Sequence, residues 1–247
     1  MDQGTIPFLR WSLPARVVVF ILSATSIWCL LAEFYGLCSM RLFTFAILIP
    51  ATAALVVLAL MDRAKGDGMR WRGVVIGAIA GFVAACAYDL FRIPFVVAAI
   101  DQVGPDWLRL PLFKVFPRFG ALILGQPFDA TTTDSQFTLV AHLLGWIYHF
   151  SNGITFGVMY MALVGDASRR SWLWAVLFAT GLELAMLFTP YTTFFGIHMT
   201  TRFVIVTLLA HVIFGVALGL LAKWLADRWP GQPAKTAIPA KMAGLSG

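Results

Sequence analysis

Seven residues of this chain have chemistry beyond packing and fall inside long apolar runs: Asp89, Arg92, His142, His149, Asn152, Glu183 and His211. An ionisable group in such a run costs about 2.5–3.5 kcal/mol on membrane-insertion scales, which makes it a functional candidate by default. Three readings of the set stand side by side. In the first, His149, Glu183 and His211 join His142, Asp89 and Asn152 in a proton or cation path. Imidazole titrates near neutral pH and can exchange a proton with a carboxylate beside it. In the second, His149 and His211 are axial ligands to a b-type haem, or with Glu183 or Asp89 they hold a transition metal such as iron, copper or zinc. In the third, the same groups make interhelical hydrogen bonds worth about 0.6 kcal/mol each. Arg92 follows Asp89 by one helical turn, the spacing of a self-neutralising ion pair.

No stronger motif decides among them. The sequence has no HExxH, Walker loop, GxSxG or CxxC pattern. His142 and His149 are seven residues apart, whereas adjacent metal ligands on one helix favour three or four. Whether the chain is an enzyme is left open. The cysteines, Cys29, Cys38 and Cys86, are too few and too oddly spaced for a disulfide framework. They read as small buried thiols, with a Cys29–Cys38 bridge as the alternative.

The elements that must position these groups follow from composition. The 247 residues are 60% hydrophobic and only 12% charged, and mean hydropathy is +0.84. A soluble domain is about 25% charged, so this chain cannot cover a water-facing surface and belongs in a lipid bilayer. A spanning helix needs about 20 apolar residues. Six segments qualify, at 17–37, 42–61, 74–100, 137–164, 172–189 and 203–226. The expected fold is an all-α integral membrane protein, a six-helix transmembrane bundle within residues 1–229. Counting at 1.5 Å per residue puts Glu183 and His211 roughly 16 Å from the inner face, His149 roughly 22 Å and Asp89 roughly 24 Å. His142 is two turns further out on the face of His149.

The net charge of +6 is distributed as topology, and nothing in the pattern fits nucleic acid. With the N-terminus inside, Arg10, Arg16, Arg63, Lys65, Arg70, Arg72, Arg169, Arg170, Lys223, Arg228, Lys235 and Lys241 are cytoplasmic. Arg41, Arg92, Arg109, Lys114, Arg118 and Arg202 are left at or beyond the outer ends, in accord with the positive-inside rule. Trp11, Trp71, Trp172, Trp174, Trp224 and Trp229 fall at the inner ends, as interfacial tryptophans do. Both termini are then cytoplasmic in a bacterial-type inner membrane, and residues 230–247 read as a disordered tail. The outer loop 101–136 is apolar, basic and broken by Pro111 and Pro117, which predicts an interfacial or re-entrant segment. Thr133 and Gln136 have capping-box spacing, which places the start of the fourth helix there.

Gly73, Gly77 and Gly81, Gly153 and Gly157, and Gly215 and Gly219 form stripes of the kind that bring membrane helices together. They predict that the third, fourth and sixth helices occupy the bundle centre, and that Glu183 finds a histidine partner outside its own helix. Beyond the bilayer, the expected partners are other membrane proteins or further copies of the chain. The leading expectation is a small transporter or proton/cation-conducting protein. The alternatives are a haem- or metal-binding membrane oxidoreductase or electron carrier, and a non-catalytic subunit or assembly factor of a membrane complex.

Overall fold

A computed structural model of the chain describes residues 11–129 and 131–229, which are helical with no strand among them. The expected tail at 230–247 and the basic residue Arg10 lie outside the described residues. The long elements are α1 (Leu13–Phe34), α2 (Met40–Lys65, with a π-turn at Thr44–Leu48), α3 (Met69–Ile100), α4 (Val115–Leu124), α5 (Leu139–Val164), α6 (Leu173–Leu187) and α7 (Thr201–Arg228). Four of them, α1, α2, α3 and α7, are long and apolar enough to cross a membrane. The two other predicted spans fall short for different reasons. α5 has the length but carries His142, His149, Ser151 and Asn152, and α6 has only 15 residues, roughly 22 Å against a hydrocarbon core of about 30 Å.

Helix ends are set by local chemistry. Thr138 and Thr200 cap α5 and α7, their hydroxyls accepting from the backbone N–H of Ala141 and Phe203. The Thr133–Gln136 capping box forms, but it closes a separate 3-10 turn at Asp134–Gln136. Phe137 and Thr138 are extended, so α5 starts later than the box predicts. Pro94 lies inside α3, which nevertheless continues to Ile100. Basic side chains at the opposite end of the bundle close helix C-termini. Arg16 donates to the carbonyls of Ala162 and Leu163 at the end of α5, and Arg72 donates to that of Ala226 near the end of α7. The buried Asp62 carboxylate accepts from the backbone N–H groups of Arg70 and Trp71 and from the Arg70 guanidinium, tying α2 to the start of α3.

The glycine stripes set the packing, with one correction. On α3, Gly77 and Gly81 lie against the backbone of Gly157 and Gly153 on α5, so closely that a Cβ at either glycine of α3 would collide with backbone. This crossing makes α3 and α5 the centre. Gly215 and Gly219 of α7 face α6 instead, meeting Val176 and Trp172. The sixth helix therefore uses its stripe to hold the short fifth helix, and its contact with α3 runs through other residues. Trp11 is buried, with its indole N–H donating to the Met69 carbonyl and its ring filling the space beside Gly73. Within the fold it acts as a packing residue, joining the start of α1 to α3. Along α2 and on the outward faces of the other helices, many large apolar side chains stay exposed, among them Leu42, Phe45, Val56, Val57 and Leu60.

The segment after α3, expected to be interfacial or re-entrant, folds back against the other helices as α4. Eight of the ten residues in α4 are buried: Val115, Phe116, Pro117, Arg118, Phe119, Gly120, Ala121 and Ile123. Gly120 lies on the Ala141 carbonyl and Gly145 on the Phe116 carbonyl, so α4 is sunk against α5. Arg118 is fully buried, donating to the carbonyls of Lys114 and Thr132 and pairing with Asp134 at 3.4 Å. All three cysteines are free, so the alternative of a Cys29–Cys38 bridge is not realised.

Candidate functional site

Where α3, α5, α6 and α7 approach one another, beneath α4, they leave a cavity of about 130 Å³. Its polar lining consists of Tyr88, Arg92, His149, Asn152, Glu183, Tyr191 and His211, set in a mainly apolar wall. Asp89, Arg92 and Glu183 are 7%, 5% and 8% exposed. Charges this deep must be paired, and each is.

Two histidine–carboxylate pairs result. The first is part of a triad. Asp89 Oδ2 accepts from His149 Nε2 at 2.8 Å, and Asp89 Oδ1 is 3.3 Å from Arg92 Nη1. Arg92 also donates to the Leu112 carbonyl in the outer segment. Its guanidinium carbon lies 4.6 Å from the Tyr88 ring centre and 5.0 Å from that of Phe113, a cation–π arrangement favoured where water is scarce. The carboxylate charge is balanced by arginine, so His149 needs no extra proton to make its bond.

The second pair is different. His211 Nδ1 is 2.9 Å from the Thr207 carbonyl, and a carbonyl can only accept, so Nδ1 carries a hydrogen. His211 Nε2 faces Glu183 Oε2 at 3.5 Å. If both groups were deprotonated, an imidazole lone pair would point at a carboxylate. One proton, on Nε2 or on the carboxyl, would make the contact attractive. Tyr88 connects the pairs, its ring centre lying 6.0 Å from that of His149 and 4.9 Å from that of His211.

The cavity continues on the side of α4. A second space of about 490 Å³ shares Tyr88, Arg92, Val115, Glu183 and Tyr191 with the first, and adds Arg109, Lys114, His198 and Arg202 to the lining. In the other direction the site is closed by packed side chains, including Ile76, Ala80, Tyr160, Met161 and Leu218, and by the glycine crossing of α3 and α5.

No family model matches this chain, nor does any curated protein or solved structure. Six of the seven sequence candidates, Asp89, Arg92, His149, Asn152, Glu183 and His211, are brought together. His142 is not: its Nε2 lies 3.0 Å from the Asp134 carbonyl, on the exposed side of α5 near the 3-10 turn. Glu183 reaches a histidine, as its isolation on a helix without other charge required. No group of three or more His, Cys, Asp or Glu suited to a metal ion occurs among the described residues. Both imidazole Nε2 atoms instead face carboxylates. Sequence reasoning missed Tyr88, which carried no period or motif to mark it. It also read Arg109, Lys114 and Arg202 only as topology signals.

Proposed function

We propose that this chain is a six-span membrane transporter for a small solute, with a central binding cavity and proton coupling through Glu183 and His211. The observation that carries the proposal is the junction of the two cavities at Tyr88, Arg92, Glu183 and Tyr191. It gives a continuous approach from the outer end to a buried, titratable site that is closed on the inner side. An outward-open transporter has this form, and intramembrane carboxylate–histidine groups are characteristic of proton relays.

The six-span reading draws support from the direction of the polar groups. The residues that lower the apolarity of α5 include His149 and Asn152, which line the cavity, so the helix does not present them to lipid. The exposed apolar side chains on the outward faces of the bundle suit a hydrocarbon environment. The contacts of Arg16 with the end of α5, and of Arg72 with the end of α7, gather the ends assigned to the cytoplasm on one side. This arrangement favours both termini inside an inner (plasma) membrane. The subunit reading would lead if Glu183 faced lipid or the two histidines faced apart. Glu183 is buried, and both imidazoles line one cavity.

Transport requires the cavity to be reached from each side in turn. Ala179 lines it, is buried and has a small side chain. A single Ala179→Cys variant with the native cysteines replaced should react with a small impermeant thiol reagent from the outer side under one condition and from the inner side under another. Reaction from the outer side alone, under all conditions, would make the protein a binding subunit instead.

A further inference from the structure

The outer cavity has a sign. Arg92, Arg109, Lys114 and Arg202 line it, with Glu183 as its acidic residue. Asp106 offsets Arg109, at 3.2 Å from its Nη1, and Asp89 offsets Arg92. Arg202 is held by backbone carbonyls, those of Asp106 and Arg109, which orient the guanidinium without neutralising it. Lys114 adds a further cation to the lining. At the junction, Arg92 is 95% buried by its 5% exposure, and its Nε finds no acceptor. A buried guanidinium N–H left without a partner is costly. Arg92 as a residue borders both cavities, so its charge acts on a ligand placed there.

The inner cavity supplies the other half of the recognition. Apart from its few polar groups it is walled by apolar side chains such as Leu30, Phe116, Phe119, Phe156 and Phe214. At about 130 Å³ it is close to the engineered apolar cavity of roughly 150 Å³ that binds benzene in another protein. The Asn152 Oδ1 atom in this wall is buried and has no hydrogen-bond partner.

Resting on the transport reading, we propose that the solute is an organic anion whose apolar part is about the size of a benzene ring. Its charged head lies at the junction against Arg92, on the side of Lys114 and Arg202, and its apolar part enters the inner cavity. An anion placed there stands beside Glu183, which it repels unless Glu183 and His211 hold their shared proton. Anion binding and proton uptake therefore favour each other, as required for symport. The other charged or titratable groups around the pair are Tyr88, Asp89 and Arg92 from α3, His149 from α5, and Tyr191 and Lys114 from the outer segments.

Benzenesulfonate is a suitable probe because it stays anionic throughout the working pH range, so any pH dependence belongs to the protein. Binding is measured by calorimetry on the full chain in phosphatidylcholine nanodiscs. Benzenesulfonate should bind at least about tenfold more tightly than benzyl alcohol, benzyltrimethylammonium or methanesulfonate, which lack the charge, its sign or the ring. Its affinity should rise as pH falls from 8 to 6, approaching about tenfold per unit if one proton is taken up. Lys114→Gln and Arg202→Gln should each weaken it severalfold, and Lys114→Arg should restore it. Equal binding of the cation or the alcohol would overturn the proposal. So would unchanged binding in both glutamine variants, or lysophosphatidic acid binding tenfold more tightly than benzenesulfonate. The two readings fail separately. Selective anion binding without two-sided access at Ala179→Cys removes transport and keeps the ligand class. Two-sided access without anion selectivity keeps transport and removes the ligand class.

Discussion

Glu183 Oε2 stands 3.5 Å from His211 Nε2, while the other ring nitrogen of that histidine is committed to the Thr207 carbonyl at 2.9 Å. This second contact makes the first informative. It fixes which nitrogen carries the permanent hydrogen and leaves the other to share a proton with the carboxylate. The Asp89–His149 pair lacks this property because Arg92 supplies the balancing charge.

The fixed triad predicts a stability effect that is not additive. Asp89→Leu leaves Arg92 buried without its carboxylate, and breaking a buried pair in this way costs about 3–5 kcal/mol. The double variant Asp89→Leu/Arg92→Leu removes both charges and should recover part of the loss. Thermal unfolding in detergent provides the comparison. A double variant less stable than the sum of the two single changes would argue against the pairing.

The helix crossing predicts opposite outcomes at two glycines. At Gly81 a side chain would enter the backbone of Gly153, so Gly81→Leu should destabilise by more than the usual overpacking cost of about 1–3 kcal/mol, or prevent folding. At Gly181 a Cβ meets nothing within 4 Å. Gly181→Ala should be neutral or stabilising, by up to about 1 kcal/mol. Expression level and melting temperature of the two variants distinguish them.

The topology predicts opposite labelling of two exposed positions. Asp129 lies in the outer segment and Ser171 at the opposite end of the bundle. In right-side-out vesicles, a cysteine replacing Asp129 should react with an impermeant maleimide, and one replacing Ser171 should react only after permeabilisation. The reverse pattern would invert the proposed orientation.

Much of this arrangement is legible in the residues, and what is not has a common cause. Depth along a helix follows from counting at 1.5 Å per residue. It correctly sets Glu183 and His211 level, and the i,i+3 spacing gives the Asp89–Arg92 pair. Rotation of one helix about another is not encoded in this way. The Gly215–Gly219 stripe marks a close contact without saying that α6 provides it. His142, on the same face as His149 by periodicity, is taken up by the Asp134 carbonyl because the outer segment folds back beside it. Tyr88 and Tyr191 become part of the site only through packing between distant segments. The burial of Trp11 beside Gly73 is likewise a tertiary choice.

The central claim, that occupancy of the Glu183–His211 proton site controls access to the cavity, is tested most directly by the pH dependence of labelling at Ala179→Cys. The reaction rate from the outer side is measured between pH 8 and pH 5.5 in three backgrounds: otherwise unchanged, Glu183→Gln and Asp89→Asn. Because the thiolate is the nucleophile, each rate is divided by that of a free thiol at the same pH. The normalised rate should change with pH in the unchanged background and in Asp89→Asn, and be flat in Glu183→Gln. A flat normalised rate in the unchanged background, or an unaltered profile in Glu183→Gln, would contradict the claim.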